Sequence, residues 1–271
     1  MVYYFIMQNK LTNKKVIVTG ASGGIGERLV WHIARHGGVP IMLARSMDQM
    51  RQHQEFLKQT FQSESFVYQV DLQNEKETDA ILKQIIKEHG QIHGLINNAG
   101  LGIFDLVKDM QWQDVERMFQ LNVFALMRVT QQLLNHFSYY QKGHIVNIAS
   151  QAGKLATPKS SAYAATKHAV LGFTNALRLE AVKEGVQVTA VNIGPVRTSF
   201  FKTADPGGAY QKNVAQYMLD PDYVAQKVVR HLFTNKREIN LPNWMEMGSA
   251  LHRLFPNTME RLLKKQFNKK Y

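Results

Sequence analysis

KVIVTGASGGIGERLVWHIARHG, residues 15–37, sets a β-branched apolar run, a glycine-rich turn and a helical pattern in direct succession. KVIVTG (15–20) reads as a buried strand, and GIGERLVWHIARHG as a helix that stops at Gly37. Between them lies TGASGGIG (19–26), with glycines at 20, 24 and 26. Gly20 suits a tight turn with positive φ. Gly24 and Gly26 let backbone and helix approach a pyrophosphate, toward which the helix N-terminus directs its partial positive charge. Gly20, Ser22, Gly24, Ile25 and Gly26 are therefore candidate dinucleotide contacts.

The same alternation continues along the chain. VPIMLA (39–44), SFVYQVD (65–71), IHGLINN (92–98), GHIVNIAS (143–150), VQVTAVNI (186–193) and a short REINLP (237–242) read as further strands. Helical patterns fall near 46–62, 75–90, 112–140, from 160 onward and at 220–233. Strand–helix alternation predicts an α/β fold: one seven-stranded parallel sheet, doubly wound in the Rossmann manner, with helices on both faces. The predicted organisation is one domain over 12–245, a short N-terminal extension (1–11) and a basic helical extension (246–271) broken near Pro256.

Composition narrows the chemistry. The 271 residues contain no cysteine, which excludes disulfides, thiolate metal sites and a cysteine nucleophile. No metal site is expected. The net charge is +12, and much of the excess lies at the ends: Lys10, Lys14 and Lys15, then Lys264, Lys265, Lys269 and Lys270. Neither cluster is interleaved with aromatics as a stacking platform for single strands would be, so no nucleic-acid partner is expected. The start MVYYFIM is too short for a secretory leader or a membrane span, and Met1 and Met7 are both candidate starts. A cytoplasmic location is expected.

Nucleotide choice in such folds is read after the second strand, where an acid bonds the ribose 2′-hydroxyl of NAD. Here Arg45 stands in that place, followed by Ser46, with no acid before Asp48. A guanidinium there can grip a 2′-phosphate, which favours NADP(H).

TGASGGIG, NNAG (97–100), Asn122, Ser150 and YAATK (163–167) occur in the order and spacing of the short-chain dehydrogenase/reductase family, over roughly residues 12–240. Within it, GHIVNIASQAGKLATPKSSAYAATKHAVLGF (143–173) and REINLP resemble an NADP-preferring bacterial branch of uncharacterised oxidoreductases with an extended C-terminus. The resemblance implies transfer of the pro-S hydride between a nicotinamide and a carbonyl or secondary alcohol. Asn122, Ser150, Tyr163 and Lys167 would be its catalytic tetrad. Chemistry agrees: a carbonyl accepting hydride needs a proton donor. A free tyrosine has a pKa near ~10, and a neighbouring cation lowers it. Lys167 stands four residues from Tyr163, one helical turn away. By the resemblance Lys167 also holds the nicotinamide ribose, Ser150 bonds the substrate oxygen, and Asn122 holds a water linking Lys167 to solvent.

The family pattern extends cofactor contact to Asp71, Leu72, Asn98, Ala99, Gly100, Gly194, Val196 and Thr198. Two departures stand out. Ile193 replaces a proline in the loop after the sixth strand, and the glycine turn carries Ser22 and Gly23 where a second NADP-marking basic residue is usual. NADP preference therefore leans on Arg45.

Substrate choice is expected from Leu101–Phe104, Gln151–Thr157 and SFFKTADPGGAY (199–210), the last a lid with Gly207 and Gly208 as hinges. Phe200, Phe201 and Met218 suggest an apolar pocket. The tail places Leu251, Leu254, Phe255, Met259, Leu262 and Leu263 on one stripe opposite basic residues. Such a stripe packs on the body, pairs subunits, or rests weakly on a membrane surface. A homodimer or homotetramer is expected. The alternative function is a non-catalytic NADP(H) sensor on the same fold.

Overall fold

The computed structural model describes residues 10–267, with side chains through Leu262. The start MVYYFIM and the pair Lys269 and Lys270 lie outside the described residues, as do the side chains of Leu263, Lys264 and Lys265.

Seven parallel strands form one sheet in the order β3-β2-β1-β4-β5-β6-β7. They are β1 (Lys15–Thr19), β2 (Val39–Ala44), β3 (Phe66–Gln69), β4 (Gly94–Asn97), β5 (Gly143–Ile148), β6 (Val186–Ile193) and β7 (Glu238–Leu241). The chain first winds outward from β1 to β3. It then returns to pair β4 against the free side of β1, Val16 with Gly94 and Val18 with Ile96. That reversal opens a crevice at the carboxyl ends of β1 and β4, the place where such folds bind ligands.

Alternation along each strand divides the core into two layers. Val16, Val18, Met42, Ile96, Val146 and Val191 face one layer, together with α1 (Gly24–Arg35) and α9 (Pro221–Arg230). Ile17, Ile41, Leu43, Leu95, Ile145 and Val188 face the other. There they meet α3 (Glu75–His89), α5 (Leu126–Tyr139) and α6 (Ser161–Ala181). Phe137 of α5 is fully buried in this second layer. A side chain of that size in such a place contributes several kcal/mol, and truncation to alanine typically costs about 3–5 kcal/mol.

Local chemistry fixes the helix ends. Asn74 caps α3 by accepting from the Glu77 N–H at 3.2 Å, while Glu77 accepts from the Asp71 N–H at 3.2 Å. Asp220 caps α9, with Pro221 in its first turn. The N-terminus of α1 is different: Gly23 offers no side-chain cap, so its first N–H groups are open toward the crevice.

The remaining helices are α2 (Met47–Phe61), α4 (Trp112–Phe119), α7 (Phe200–Ala204), α8 (Ala209–Val214), α10 (Asn243–Leu254) and α11 (Pro256–Phe267). Between α4 and α5, residues Gln120–Ala125 form a π turn, so the helical stretch predicted over 112–140 carries a local widening at Asn122. Position 246, the expected start of the C-terminal extension, falls inside α10.

Candidate active site

A cleft of about 1050 Å³ opens over the carboxyl ends of the strands. The glycine turn, Arg45 and Ser46, Asp71 and Leu72, Asn98–Gly100, Ser150, Tyr163, Lys167, and Gly194, Val196 and Thr198 all line it. Residues far apart in sequence thus meet on one surface, as the spacing of their motifs predicts.

The floor is held by hydrogen bonds between β1 and the turn after β4. Thr19 Oγ1 accepts from the N–H groups of Asn98 and Ala99, both at 3.0 Å. Asn98 Nδ2 donates back to the carbonyls of Thr19 at 3.0 Å and Gly20 at 3.2 Å. Gly20 has φ +65°, and a Cβ there would lie 2.8 Å from Ala99 Cα. Gly26 does not line the cleft. A Cβ on it would meet the Gly20 carbonyl oxygen at 2.1 Å, so its role is to let α1 pack against the turn.

Asn97, one residue earlier, is buried and holds the sheet together. Its Nδ2 donates to Thr130 Oγ1 and Asn147 Oδ1, both at 2.9 Å. Asp71 Oδ1 accepts from the Gln73 N–H at 3.0 Å, which leaves the capping of α3 to Asn74. Arg45 is exposed at the cleft rim, its carbonyl held by Gln69 Nε2 at 2.9 Å.

Ser150 ends the segment after β5. Its Oγ donates to the Ile193 carbonyl at 3.3 Å and accepts from the Ala152 N–H at 3.0 Å. It also hydrogen-bonds the Tyr163 phenol. Lys167 Nζ donates to the Ile148 carbonyl at 2.9 Å and lies 5.9 Å from the Tyr163 ring centroid. Burial pushes Lys167 down to about 8. Burial likewise pushes Tyr163 up to about 12, with the Ser150 hydrogen bond pulling the other way. The expected lowering of the phenol by Lys167 is not what this arrangement gives. Desolvation of a phenolate in the cleft is the largest influence, and the Lys167 ammonium is directed at the Ile148 carbonyl.

Asn122 is buried and does not line the cleft. Its Oδ1 accepts from the Leu101 N–H at 2.8 Å, and Nδ2 donates to the Leu101 carbonyl at 2.8 Å and to Thr166 Oγ1 at 3.1 Å. Both amide hydrogens are therefore committed to protein partners. Thr166 in turn donates to the Tyr163 carbonyl at 2.7 Å. The π turn is the local device that brings Asn122 to this position, a common use of such turns.

Above Tyr163 stands an aromatic wall. Phe104 meets Tyr163 at 5.7 Å and Tyr210 at 5.4 Å between ring centroids, and Phe200 meets Tyr163 at 5.8 Å. The predicted lid stretch is built as α7 and α8, and a backbone bond from the Phe104 N–H to the Ala204 carbonyl, 3.0 Å, ties it to the body.

Several lining residues escape a reading of the sequence. Tyr217, Trp244 and Met245 reach the cleft from α10 and the turn before α9, and Thr19, beneath the lining, holds its floor. The one signal for α10 was its apolar spacing, which says nothing of the cleft.

A model of the short chain dehydrogenases matches residues 14–207. An uncharacterised oxidoreductase of Escherichia coli is 28% identical over 276 residues, spanning 95% of this chain and 97% of the relative. An NADP-dependent 3-hydroxy acid dehydrogenase of Schizosaccharomyces pombe is 32% identical over 194 residues, 71% of this chain and 75% of its own. A solved short-chain dehydrogenase from Sphingobium yanoikuyae, in complex with NADPH, superposes with TM-score 0.78 at 26% identity, covering 90% of this chain and 95% of that one. Strand order, crevice and motif register thus agree with a match over most of the chain, and the protein belongs to the short-chain dehydrogenase family of oxidoreductases.

Proposed function

We propose that the protein is an NADP(H)-dependent oxidoreductase acting between a carbonyl and its secondary alcohol, with reduction the favoured direction where NADPH is kept reduced. The observation that carries this is the meeting of Ser150, Tyr163 and Lys167 in the cleft that the glycine turn and Arg45 also line.

The residues present fit a dinucleotide. The turn at Gly20 leaves no room for a side chain against Ala99, and the uncapped N-terminus of α1 offers free N–H groups to a pyrophosphate. Arg45 at the rim suits a 2′-phosphate, and the NADP named for two relatives supports that choice. When bound, the nicotinamide supplies or accepts the hydride.

The chain's own residues handle the oxygen and the proton. The Ser150 hydroxyl orients the carbonyl oxygen. Tyr163 gives its phenolic proton to that oxygen in reduction and takes it back in oxidation. A phenol held near 12 releases a proton reluctantly at neutral pH, so the positive charge of Lys167 must bear on it during the reaction. With its own value near 8, Lys167 keeps most of that charge at pH 7. Lys167 would also hold the ribose hydroxyls. Asn122 is a positioning residue, acting through Leu101 and Thr166. The walls of Phe104, Phe200, Phe201 and Tyr210 suit an apolar substrate.

The same family membership supports a homodimer or homotetramer through α4–α6, where Trp112, Phe124 and Leu179 are exposed.

The experiment is a panel of carbonyls with NADPH and of alcohols with NADP, run on the parent and on Tyr163→Phe. Substrate-dependent oxidation of NADPH by the parent alone supports the assignment. Equal rates in both proteins would sink it.

A further inference from the structure

The C-terminal helices carry an apolar face that the body does not cover. On α10, Trp244, Met247, Leu251 and Leu254 are 55%, 68%, 47% and 71% exposed. Their spacing of three, four and three places them on one side of the helix. Phe255 and Leu262 continue the exposed set onto α11.

The opposite side of α10 is firmly anchored. Ser249 is buried, Met245 packs against Gly194, and Lys154 bridges Glu246 of α10 to Glu238 of β7. The stripe is thus held outward by a built contact. Trp244 belongs both to it and to the cleft wall, where it meets the Tyr217 ring at 5.9 Å.

Charge identifies the occupant. Residues 243–271 contain six Lys or Arg against two acids. Both acids are engaged within the chain, Glu246 with Lys154 and, at 3.9 Å, with Arg253, and Glu260 with His252 at 3.5 Å. Two copies of so basic a tail repel one another by their net charge, whereas an anionic surface attracts that charge. Subunit pairing also has its own exposed apolar set on α4–α6.

We propose that α10 and α11 dock the protein on an anionic lipid bilayer through this stripe, with the cleft mouth at Trp244 turned to the lipid. An apolar carbonyl dissolved in the membrane then reaches the cleft without crossing water.

The test is co-sedimentation of the full chain with vesicles of phosphatidylcholine, with and without phosphatidylglycerol, at low and raised salt. The expected result is pelleting by the phosphatidylglycerol vesicles that weakens with salt. Leu251→Glu/Leu254→Glu should bind about tenfold more weakly or worse, with its thermal unfolding midpoint retained. Met247→Ser, a milder change at an exposed site, should weaken binding in the same direction. Three results would each overturn the proposal. One is no pelleting by anionic vesicles at low salt. Another is equal binding by parent and variants. The third is a dimer that the double variant turns into a monomer, with no vesicle binding. Vesicle binding needs no turnover, so these outcomes are independent of the redox assignment.

Discussion

The Lys167 ammonium lies 5.9 Å from the centre of the Tyr163 ring and spends a hydrogen bond on the Ile148 carbonyl, 2.9 Å away. Burial drives the two groups apart, the phenol up to about 12 and the amine down to about 8. At pH 7 the phenol therefore keeps its proton and the amine keeps most of its own.

Removing that proton leaves the rest of the cleft intact. Tyr163→Phe should lower turnover about 10²–10⁴-fold while nucleotide binding, read as a thermal shift, stays near the parent's. Loss of both together would mean that the ring, not the hydroxyl, is what matters.

Arg45 is exposed, so its contribution is screened, and a moderate effect is expected. Arg45→Asp should weaken NADPH about tenfold and improve NADH, because a charge-assisted contact is replaced by repulsion of the 2′-phosphate. Titrating both nucleotides against the variant checks this. Unchanged affinities for both would refute the cofactor assignment.

At Gly26 the prediction is steric. A Cβ would stand 2.1 Å from the Gly20 carbonyl oxygen and 2.7 Å from Asn98 Nδ2. Gly26→Ala must push α1 away from the turn, so the unfolding midpoint should fall and the stabilisation given by added NADPH should shrink. A variant with parental midpoint and parental response would show that the helix can shift freely.

His144 governs acid stability. It is fully buried in β5, where Nδ1 accepts from the Phe233 N–H at 2.8 Å and Nε2 meets Thr189 Oγ1 at 2.9 Å. Burial first, then the charge of Lys10, brings it down to about 3. The unfolded chain takes up this proton near pH 6.5 and the folded one does not, so stability is full above 6.5. It then declines as pH falls toward 3, by at most about 1.4 kcal/mol per pH unit. His144→Asn should flatten that part of the curve. Denaturant midpoints at neutral and acid pH measure it, and parallel curves for parent and variant would contradict it.

Much of this was readable in the residues. The strands at 39–44 and 186–193 fall where their β-branched runs place them, because both are buried on each face and carry little else. Ser150, Tyr163 and Lys167 were legible because their helix and strand are regular, so spacing translates into position. What was hidden depends on long-range contact. No local pattern says that α10 closes the cleft with Trp244 and Met245. None says that Asn122 has its amide hydrogens already committed, since that requires Leu101 and Thr166 in three dimensions. The direction of the Tyr163 shift was hidden for the same reason: spacing reports which charge is near, while burial is set by the whole cleft.

The grip of Asn122 on Leu101 has one more consequence. The amide holds that residue by its backbone N–H and carbonyl, leaving the side chain at 101 out of the bargain. Position 101 borders the cleft beside the aromatic wall. Its side chain can be exchanged to reshape the substrate chamber while the peptide beneath stays fastened to the helix that carries Tyr163. On the proposed function, this separates the part that would choose a substrate from the part that would move a proton, at the boundary of a single residue.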